Sequence, residues 1–144
     1  MLSSKGRYAT RILVYMAMQS GSSPIRKQSI AEAEHISEDY VEQILLRLKQ
    51  QRIVDSIRGA GGGFLLRAAP ASLTVHAVIE AVEGPIIVAG CRGAECERAA
   101  DCVTRDVWRQ ATHAVVNVLS EVTIGDLAEK AREQQRLRVN NYEI

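Results

Sequence analysis

The chain has 144 residues, of which 47% are hydrophobic and only 4% aromatic, and its formal net charge is +1. This length suits one domain with an aliphatic core, and the apolar content excludes an intrinsically disordered chain. Residues 1–67 hold ten Lys and Arg against six Asp and Glu, whereas residues 68–144 hold eight against eleven, and a basic first half is compatible with a phosphate-binding module.

The first predicted helix is capped by Ser3 or Ser4 and extends to about Ser20. Basic residues precede its apolar run at 12–18, but no A-x-A-like cleavage site follows, so an amphipathic helix explains the segment better than a secretion signal. No stretch approaches the ~18 apolar residues that a membrane span needs. We therefore expect a cytoplasmic protein without a membrane partner.

Two short helices are predicted next, separated by a tight turn. The motif Ser29-Ile30-Ala31-Glu32 has the pattern of a capping box, which would start a helix ending near His35. Ser37 would cap the following helix, with a buried stripe formed by Val41, Ile44, Leu45 and Leu48. This layout is typical of a helix-turn-helix whose second helix enters the major groove of DNA.

The polar flank of that second helix carries side chains suited to reading bases. Gln43 suits adenine, Arg47 suits guanine or a phosphate, and Glu42 can accept a hydrogen bond from the cytosine amino group. The alternative is a solvated helix face without a partner, since any surface helix is polar outside.

Two β-prone runs at 53–57 and 64–67 enclose the glycine-rich segment RGAGGG at 58–63, which predicts a hairpin. A hairpin directly after a recognition helix is a wing. Arg58 would clamp a phosphate or enter a minor groove, and Gly59, Gly61 and Gly62 would allow close approach to the DNA backbone. A nucleotide-binding loop fits poorly, because the glycine spacing is wrong and a strand follows instead of a helix.

The second half contains a helix from Thr74 to about Glu83, an irregular loop, a long helix over 103–120 and a last helix beginning at Thr123. The long helix carries a heptad-like apolar seam suited to a partner helix, made of Trp108, Ala111, Val115, Val118 and Val122. The fold class is therefore mostly α with a small β-hairpin wing, namely a winged helix-turn-helix plus a long C-terminal dimerisation helix. We assign 1–83 to the DNA-binding head, 84–102 to a sensor loop, 103–133 to the dimerisation and C-terminal helices, and 134–144 to a flexible tail.

The loop contains all three cysteines, Cys91, Cys96 and Cys102. Thiolates select zinc, Cu(I) or iron–sulfur clusters, but both a structural zinc site and a cluster need a fourth ligand. Free redox-active thiols and loop cysteines without a function are the alternatives. No catalytic triad or H-E-x-x-H motif is present, so we expect no enzyme; a protein-interaction module without DNA is the remaining alternative class.

Taken together, these motifs resemble the IscR/NsrR family of winged-helix regulators over residues 1 to about 130. The resemblance lies in the cysteine loop followed by Trp108 and in the segments SKGRYA at 4–9, YVEQ at 40–43 and RGAGGGF at 58–64. It implies a homodimer on palindromic double-stranded DNA, with a 2Fe–2S or 4Fe–4S cluster on the three cysteines. It also implies that Glu42, Gln43 and Arg58 contact bases or grooves, and that the phosphate backbone is approached by Ser4, Lys5 and Arg7.

The sequence departs from the family at the fourth cluster ligand. A His follows the third cysteine by three residues in IscR-type proteins, whereas this chain has Arg105, which stays protonated and does not ligate iron. NsrR-type proteins take an Asp from the partner's first helix, and the matching position here is Tyr8. The fourth ligand is thus open between water and the carboxylates of Glu95, Glu97, Asp101 and Asp106.

Overall fold

The computed structural model describes residues 3–19, 21–90, 96–98 and 100–142. Its helices and strands, in chain order, are α1 (Ser4–Met18), α2 (Lys27–Glu34), α3 (Glu38–Gln50), β1 (Val54–Ile57), β2 (Gly63–Leu66), α4 (Val75–Glu83), α5 (Arg105–Ser120) and α6 (Ile124–Tyr142), with a 3-10 turn at Pro70–Ser72. The mostly helical fold with one β-hairpin is confirmed. None of the described helices has both the length and the apolarity that crossing a membrane requires.

Helix α3 forms as the sequence predicts. The Ser37 hydroxyl accepts a hydrogen bond from the Tyr40 N–H at 3.3 Å, and Glu38 and Asp39 lie in the first turn, where the helix dipole favours negative charge. The predicted apolar stripe is fully buried at all four positions, namely Val41, Ile44, Leu45 and Leu48. Burying the stripe leaves the opposite flank of the helix in solvent.

The predicted capping box at Ser29 is wrong. Helix α2 begins two residues earlier, at Lys27, with Arg26 as its N-cap and no side-chain cap. The cause is tertiary: Ile25 forms a β-bridge with Phe64, with N–H···O distances of 2.8 Å in both directions. This bridge keeps the chain extended as far as Arg26, and Ser29 falls within the first turn. The predicted end near His35 is correct, since His35 caps the helix in the left-handed conformation at φ 54°.

The strands β1 and β2 pair antiparallel, with Val54 opposite Leu66 and Ile57 opposite Gly63. Because Ile25 adds its bridge to β2, the hairpin is attached to the start of α2 as well as to α3. Isolated two-stranded hairpins are marginal in water, so these attachments stabilise the wing.

One hydrophobic core joins the helices of the head to the last helix. Ile12 and Leu13 of α1, Val78 of α4 and Ile124 of α6 are all fully buried within it. Each such side chain contributes about 1.5–3 kcal/mol by leaving water. The Arg132 guanidinium of α6 donates to the Ala17 carbonyl at 2.6 Å, at the carboxyl end of α1, so α6 also closes that helix terminus.

The described part of the segment that we expected to be a flexible tail, residues 134–142, is helical. Helix α6 continues to Tyr142. The residues after Gln134 include good helix formers such as Arg136, Leu137 and Arg138, and neither Pro nor Gly interrupts them. The last helix begins after Thr123, as predicted, with a capping box that we did not predict. The Thr123 N–H donates to the Asp126 carboxylate at 2.9 Å, and the Asp126 N–H donates to the Thr123 hydroxyl at 3.1 Å.

A single carboxylate joins the end of α4 to the beginning of α1. Glu83 accepts from the Ser3 hydroxyl and the Gly6 N–H, both at 2.6 Å, and from the Ser3 N–H at 3.2 Å. A Cβ on Gly6 would lie against the Glu83 carboxylate, which explains a glycine inside the first turn of a helix. Burial alone would raise the pKa of Glu83, but the hydrogen bonds from Ser3 and Gly6 together lower it.

We expect this contact to make stability depend on acidic pH. Because the folded-state pKa is lowered, the stabilisation is present above the unfolded pKa of Glu, about 4.3, and is lost as the pH falls through the folded value. Glu83→Gln should reduce the free energy of unfolding at pH 7 by at most about 1 kcal/mol, since the group is largely exposed, and should flatten the acid decline. Urea unfolding from pH 3 to pH 7 measures the loss of stability at pH 7 and the slope of the acid decline, with Glu80→Gln on the same helix as the control. An equal loss in both variants would contradict this role.

Candidate nucleic-acid interface and cysteine loop

The flank of α3 that faces away from the core holds the three predicted base-reading residues. Gln43 and Arg47 are exposed, and Glu42 is half-buried. The Glu42 carboxylate pairs with the Lys27 ammonium of α2 at 2.5 Å. Leu46 is 48% exposed on the same flank, so this surface offers an apolar contact as well as polar ones.

The hairpin is fixed beside this flank by two side-chain hydrogen bonds. The Lys49 ammonium of α3 contacts the Ser56 hydroxyl of β1 at 2.5 Å. The Arg26 guanidinium, at the start of α2, donates to the Ala60 carbonyl at the hairpin tip at 3.2 Å. Recognition helix and wing are therefore held in one arrangement by contacts that each contribute modestly to stability.

Two glycines at the hairpin tip are required by the backbone. Gly59 has a backbone φ of +110°, which residues with a side chain rarely adopt. Its carbonyl accepts a hydrogen bond from the Gly62 N–H at 3.0 Å, which closes the turn. A Cβ on Gly62 would collide with the Ile57 carbonyl and lie 2.9 Å from the Gly59 carbonyl. Gly61 and Arg58 are exposed, as a phosphate contact requires.

Alanine substitutions at neighbouring glycines should therefore differ. Gly62→Ala forces the turn open and is expected to destabilise the protein by about 1–3 kcal/mol. Gly61→Ala should be nearly neutral, because a Cβ there meets no heavy atom within 4 Å. Thermal unfolding followed by circular dichroism measures the difference, and equal melting temperatures for the two variants would contradict the turn geometry.

The first turn of α1 holds Ser4, Lys5 and Arg7, which the resemblance brings near phosphates; Ser4 and Arg7 are exposed in the structure, and Lys5 is half-buried. One residue further, the ring of Tyr8 packs edge-on against that of Tyr40 in α3, with centroids 5.8 Å apart. This contact places the beginning of α1 next to the beginning of the recognition helix.

Cys102 lies immediately before α5. Its sulfur is 3.3 Å from the Thr104 hydroxyl, and its carbonyl accepts from the Arg105 N–H at 3.2 Å. The hydrogen bonds from the Thr104 side chain and backbone, followed by that from the Arg105 backbone and the charge of Arg98, lower the pKa of the Cys102 thiol. A thiol with a lowered pKa is both a better metal ligand and a more readily oxidised group.

The structure leaves the predicted cluster site incomplete. Cys96 is exposed, whereas Cys91 and Glu95 lie outside the described residues. Within the part of the chain that is described, no three His, Cys, Asp or Glu side chains gather closely enough to hold a metal ion. Among the fourth-ligand candidates, Glu97 and Asp101 are exposed and Asp106 pairs with Arg109 at 3.0 Å.

The chemistry of the donors fits an iron–sulfur cluster even so. Three thiols fall within one short loop, and one of them has a lowered pKa at the beginning of a helix. Tyr8, which the resemblance matches to the Asp ligand of NsrR-type proteins, packs against Tyr40, and its ring centroid lies 5.3 Å from the Arg11 guanidinium.

Helix α5 presents its apolar seam to solvent in the single chain. Trp108 is 40% exposed and Val118 is 63% exposed, whereas Ala111 and Val115 are half-buried. Val122, which we predicted as the last residue of the seam, is half-buried but lies beyond the end of α5 at Ser120. None of the residues of α5 is buried. A helix with this much exposed apolar surface is typical of one that packs against a partner.

Several residues of this region carry contacts that we did not predict from the sequence. They are Lys27, Lys49, Arg26, Ile25 and Glu83. Four of these contacts join residues at least 15 positions apart, which periodicity and capping rules do not detect. Lys27 is the one with a local signal, because a cation at the beginning of a helix opposes the helix dipole.

Comparison with known proteins matches residues 2–130 to the model of the Rrf2 family, described as an iron-dependent transcriptional regulator. The HTH-type transcriptional regulator IscR of Erwinia tasmaniensis is 35% identical over 144 residues, which cover 99% of this chain and 81% of that protein. Among solved structures, T. potens IscR has a TM-score of 0.77 at 30% identity, covering 94% of this chain and 90% of that one. CymR, described as the global cysteine regulator of B. subtilis, has a TM-score of 0.76 at 35% identity, covering 90% and 97%.

Proposed function

The chain belongs to the Rrf2 family and is a DNA-binding transcription regulator; from this premise we propose that it senses redox, iron or nitric oxide status through an iron–sulfur cluster. The observation that carries the proposal is the arrangement of α3 and the hairpin as adjacent exposed surfaces, followed along the chain by a loop of three thiols. Its place of action is the cytoplasm.

Each head contacts DNA through three surfaces. The flank of α3 enters the major groove, where Gln43, Arg47 and Glu42 meet base edges. Arg58 and the hairpin glycines follow the adjacent backbone or minor groove, and the first turn of α1 contributes phosphate contacts. Phosphate contacts position the protein and base contacts select the sequence.

Two copies bind together through the seam of α5. Burying Trp108 and Val118 against a second chain would remove the exposed apolar surface of that helix. A two-fold dimer sets two recognition helices on half-sites related by the same symmetry, so the operator is a palindrome with half-sites about 34 Å apart or a multiple of this.

Cys91, Cys96 and Cys102 are the residues that would hold the cluster, with the fourth ligand open as above. When bound, the cluster supplies a group that oxidants, nitric oxide or iron shortage can alter or remove. The chain itself connects the cysteine loop to the DNA-binding head at one end and to the dimerisation helix α5 at the other. The loop begins after Glu83, whose carboxylate holds the first turn of α1, and ends at Cys102, next to the first turn of α5. Ordering or releasing the loop would therefore change how the two heads are set relative to each other.

Anaerobic purification from iron-replete cells tests this proposal. We expect a coloured protein with visible absorbance, and with iron and acid-labile sulfide in matching amounts. The purified protein should change its affinity for DNA when the iron is removed. A colourless, iron-free protein obtained under these conditions would overturn the cluster.

A second candidate keeps DNA binding and replaces the cluster with direct thiol chemistry. It is favoured by the lowered pKa of Cys102 and by the likeness to S. aureus CymR in its oxidized form, with a TM-score of 0.73 at 29% identity. An iron-free protein whose DNA affinity changes with oxidant, in step with loss of free thiols, would support it.

A further inference from the structure

Lys27 occupies a position that α2 alone does not favour. It is the first residue of that helix, where the unsatisfied N–H groups create positive potential, and the helix lacks both a side-chain N-cap and an acidic residue in its first turn. A cation at this position is unfavourable in an isolated helix. The compensation comes from α3, because the Lys27 ammonium lies 2.5 Å from the Glu42 carboxylate.

The acidic first turn of α3 reinforces this pairing. Glu38 and Asp39 also act on Lys27 through their charges, and the hydrogen bond from Lys27 to Glu42 is the largest cause of its raised pKa. The side chains of Lys27 and Glu42 are 38% and 43% exposed, so a ligand on the α3 flank can reach the pair.

Resting on the proposed function, we propose that Lys27 is a specificity-determining residue that acts through Glu42. A lone carboxylate that enters the major groove is repelled by the phosphates on both sides. Paired with Lys27 it carries no net charge, and one of its oxygens is held by the ammonium. The other oxygen then accepts a hydrogen bond from a base amino group in the major groove. Cytosine N4 is favoured over adenine N6, because the N7 acceptor beside the adenine amino group repels a carboxylate, so cytosine is selected at one position of each half-site.

Selection from a library of randomised DNA duplexes tests this directly. We expect the wild-type protein to enrich cytosine about tenfold over other bases at one position of each half-site, the size of one good base contact. Lys27→Met should lose most of that preference, and Lys27→Arg should restore it. In the Glu42→Gln background, Lys27→Met should change nothing at that position, because the carboxylate on which it acts is absent.

Lys130→Met is the matched control, since it removes the same side-chain charge from an exposed position of α6 without a contact to Glu42, and it should leave the base preference unchanged. An equal loss of affinity at all sequences in Lys27→Met would identify Lys27 as a phosphate contact and overturn the inference. The same shift of base preference with and without Glu42 would also overturn it. If the wild-type protein enriches no sequence, the proposed function fails first; if it does and Lys27→Met leaves the preference intact, only this inference fails.

Discussion

Cys102→Ala is expected to leave the anaerobically purified protein with less than a tenth of the wild-type iron, because loss of a direct ligand costs more than the 10–100-fold typical of second-shell residues. Hydrogen bonds from Thr104 and from the Arg105 N–H lower the pKa of the Cys102 thiol, which favours the thiolate that binds iron. Iron and sulfide analysis together with visible absorbance measures the effect.

Thr104→Val is the control for this variant. It removes the hydroxyl that contacts the sulfur but keeps all three thiols, so it should retain iron while slowing alkylation of Cys102 in the iron-free protein. Wild-type iron content in Cys102→Ala would contradict the ligand assignment. If neither variant nor the wild-type protein holds iron, the thiol-chemistry candidate takes its place.

Leu45→Ala is expected to destabilise the protein by about 2–5 kcal/mol, the usual cost of such a cavity in a core. Leu45 is fully buried on the core side of α3, whereas its neighbour Leu46 is 48% exposed on the flank that we propose faces DNA. Domains of this size have a total stability of about 5–15 kcal/mol, so the loss would be a large part of it. Urea unfolding at pH 7 measures the change.

Leu46→Ala is the matched control, with the same chemical change one residue along the same helix. It should alter the free energy of unfolding by less than about 0.5 kcal/mol. Equal destabilisation by the two variants would mean that α3 does not turn its Leu45 face to the core, and the assignment of the opposite flank to DNA would then be lost.

Local rules predicted much of the head because the relevant interactions are close in sequence. The cap at Ser37 and the stripe from Val41 to Leu48 follow from hydrogen bonding and periodicity within one helix. The hairpin follows from β-prone runs around a turn that needs glycine at Gly59 and Gly62. These elements agree with the structure because tertiary contacts reinforce their local preferences.

Long-range contacts account for the differences. The start of α2 is set by the bridge between Ile25 and Phe64, which outweighs the capping preference of Ser29. The pairing of Lys27 with Glu42 also depends on how the helices pack, and so does the hydrogen bond from the Gly6 N–H of α1 to the Glu83 carboxylate. For the cysteine loop, the family resemblance implies three thiol ligands, and because Arg105 stands where IscR-type proteins have a His, neither the sequence nor the resemblance indicates a fourth.

The most direct test of the central claim, that α3 and the hairpin face one duplex, is DNA affinity measured against salt concentration. The wild-type protein should lose affinity steeply as salt rises, because bound phosphates release counterions. Arg47→Ala and Arg58→Ala should each weaken binding, and Arg58→Ala should reduce the slope by about one if it contacts a phosphate. Arg136→Ala in α6 should match the wild-type protein. A wild-type affinity that is independent of salt, or variants at both surfaces that bind as the wild-type protein does, would contradict the claim.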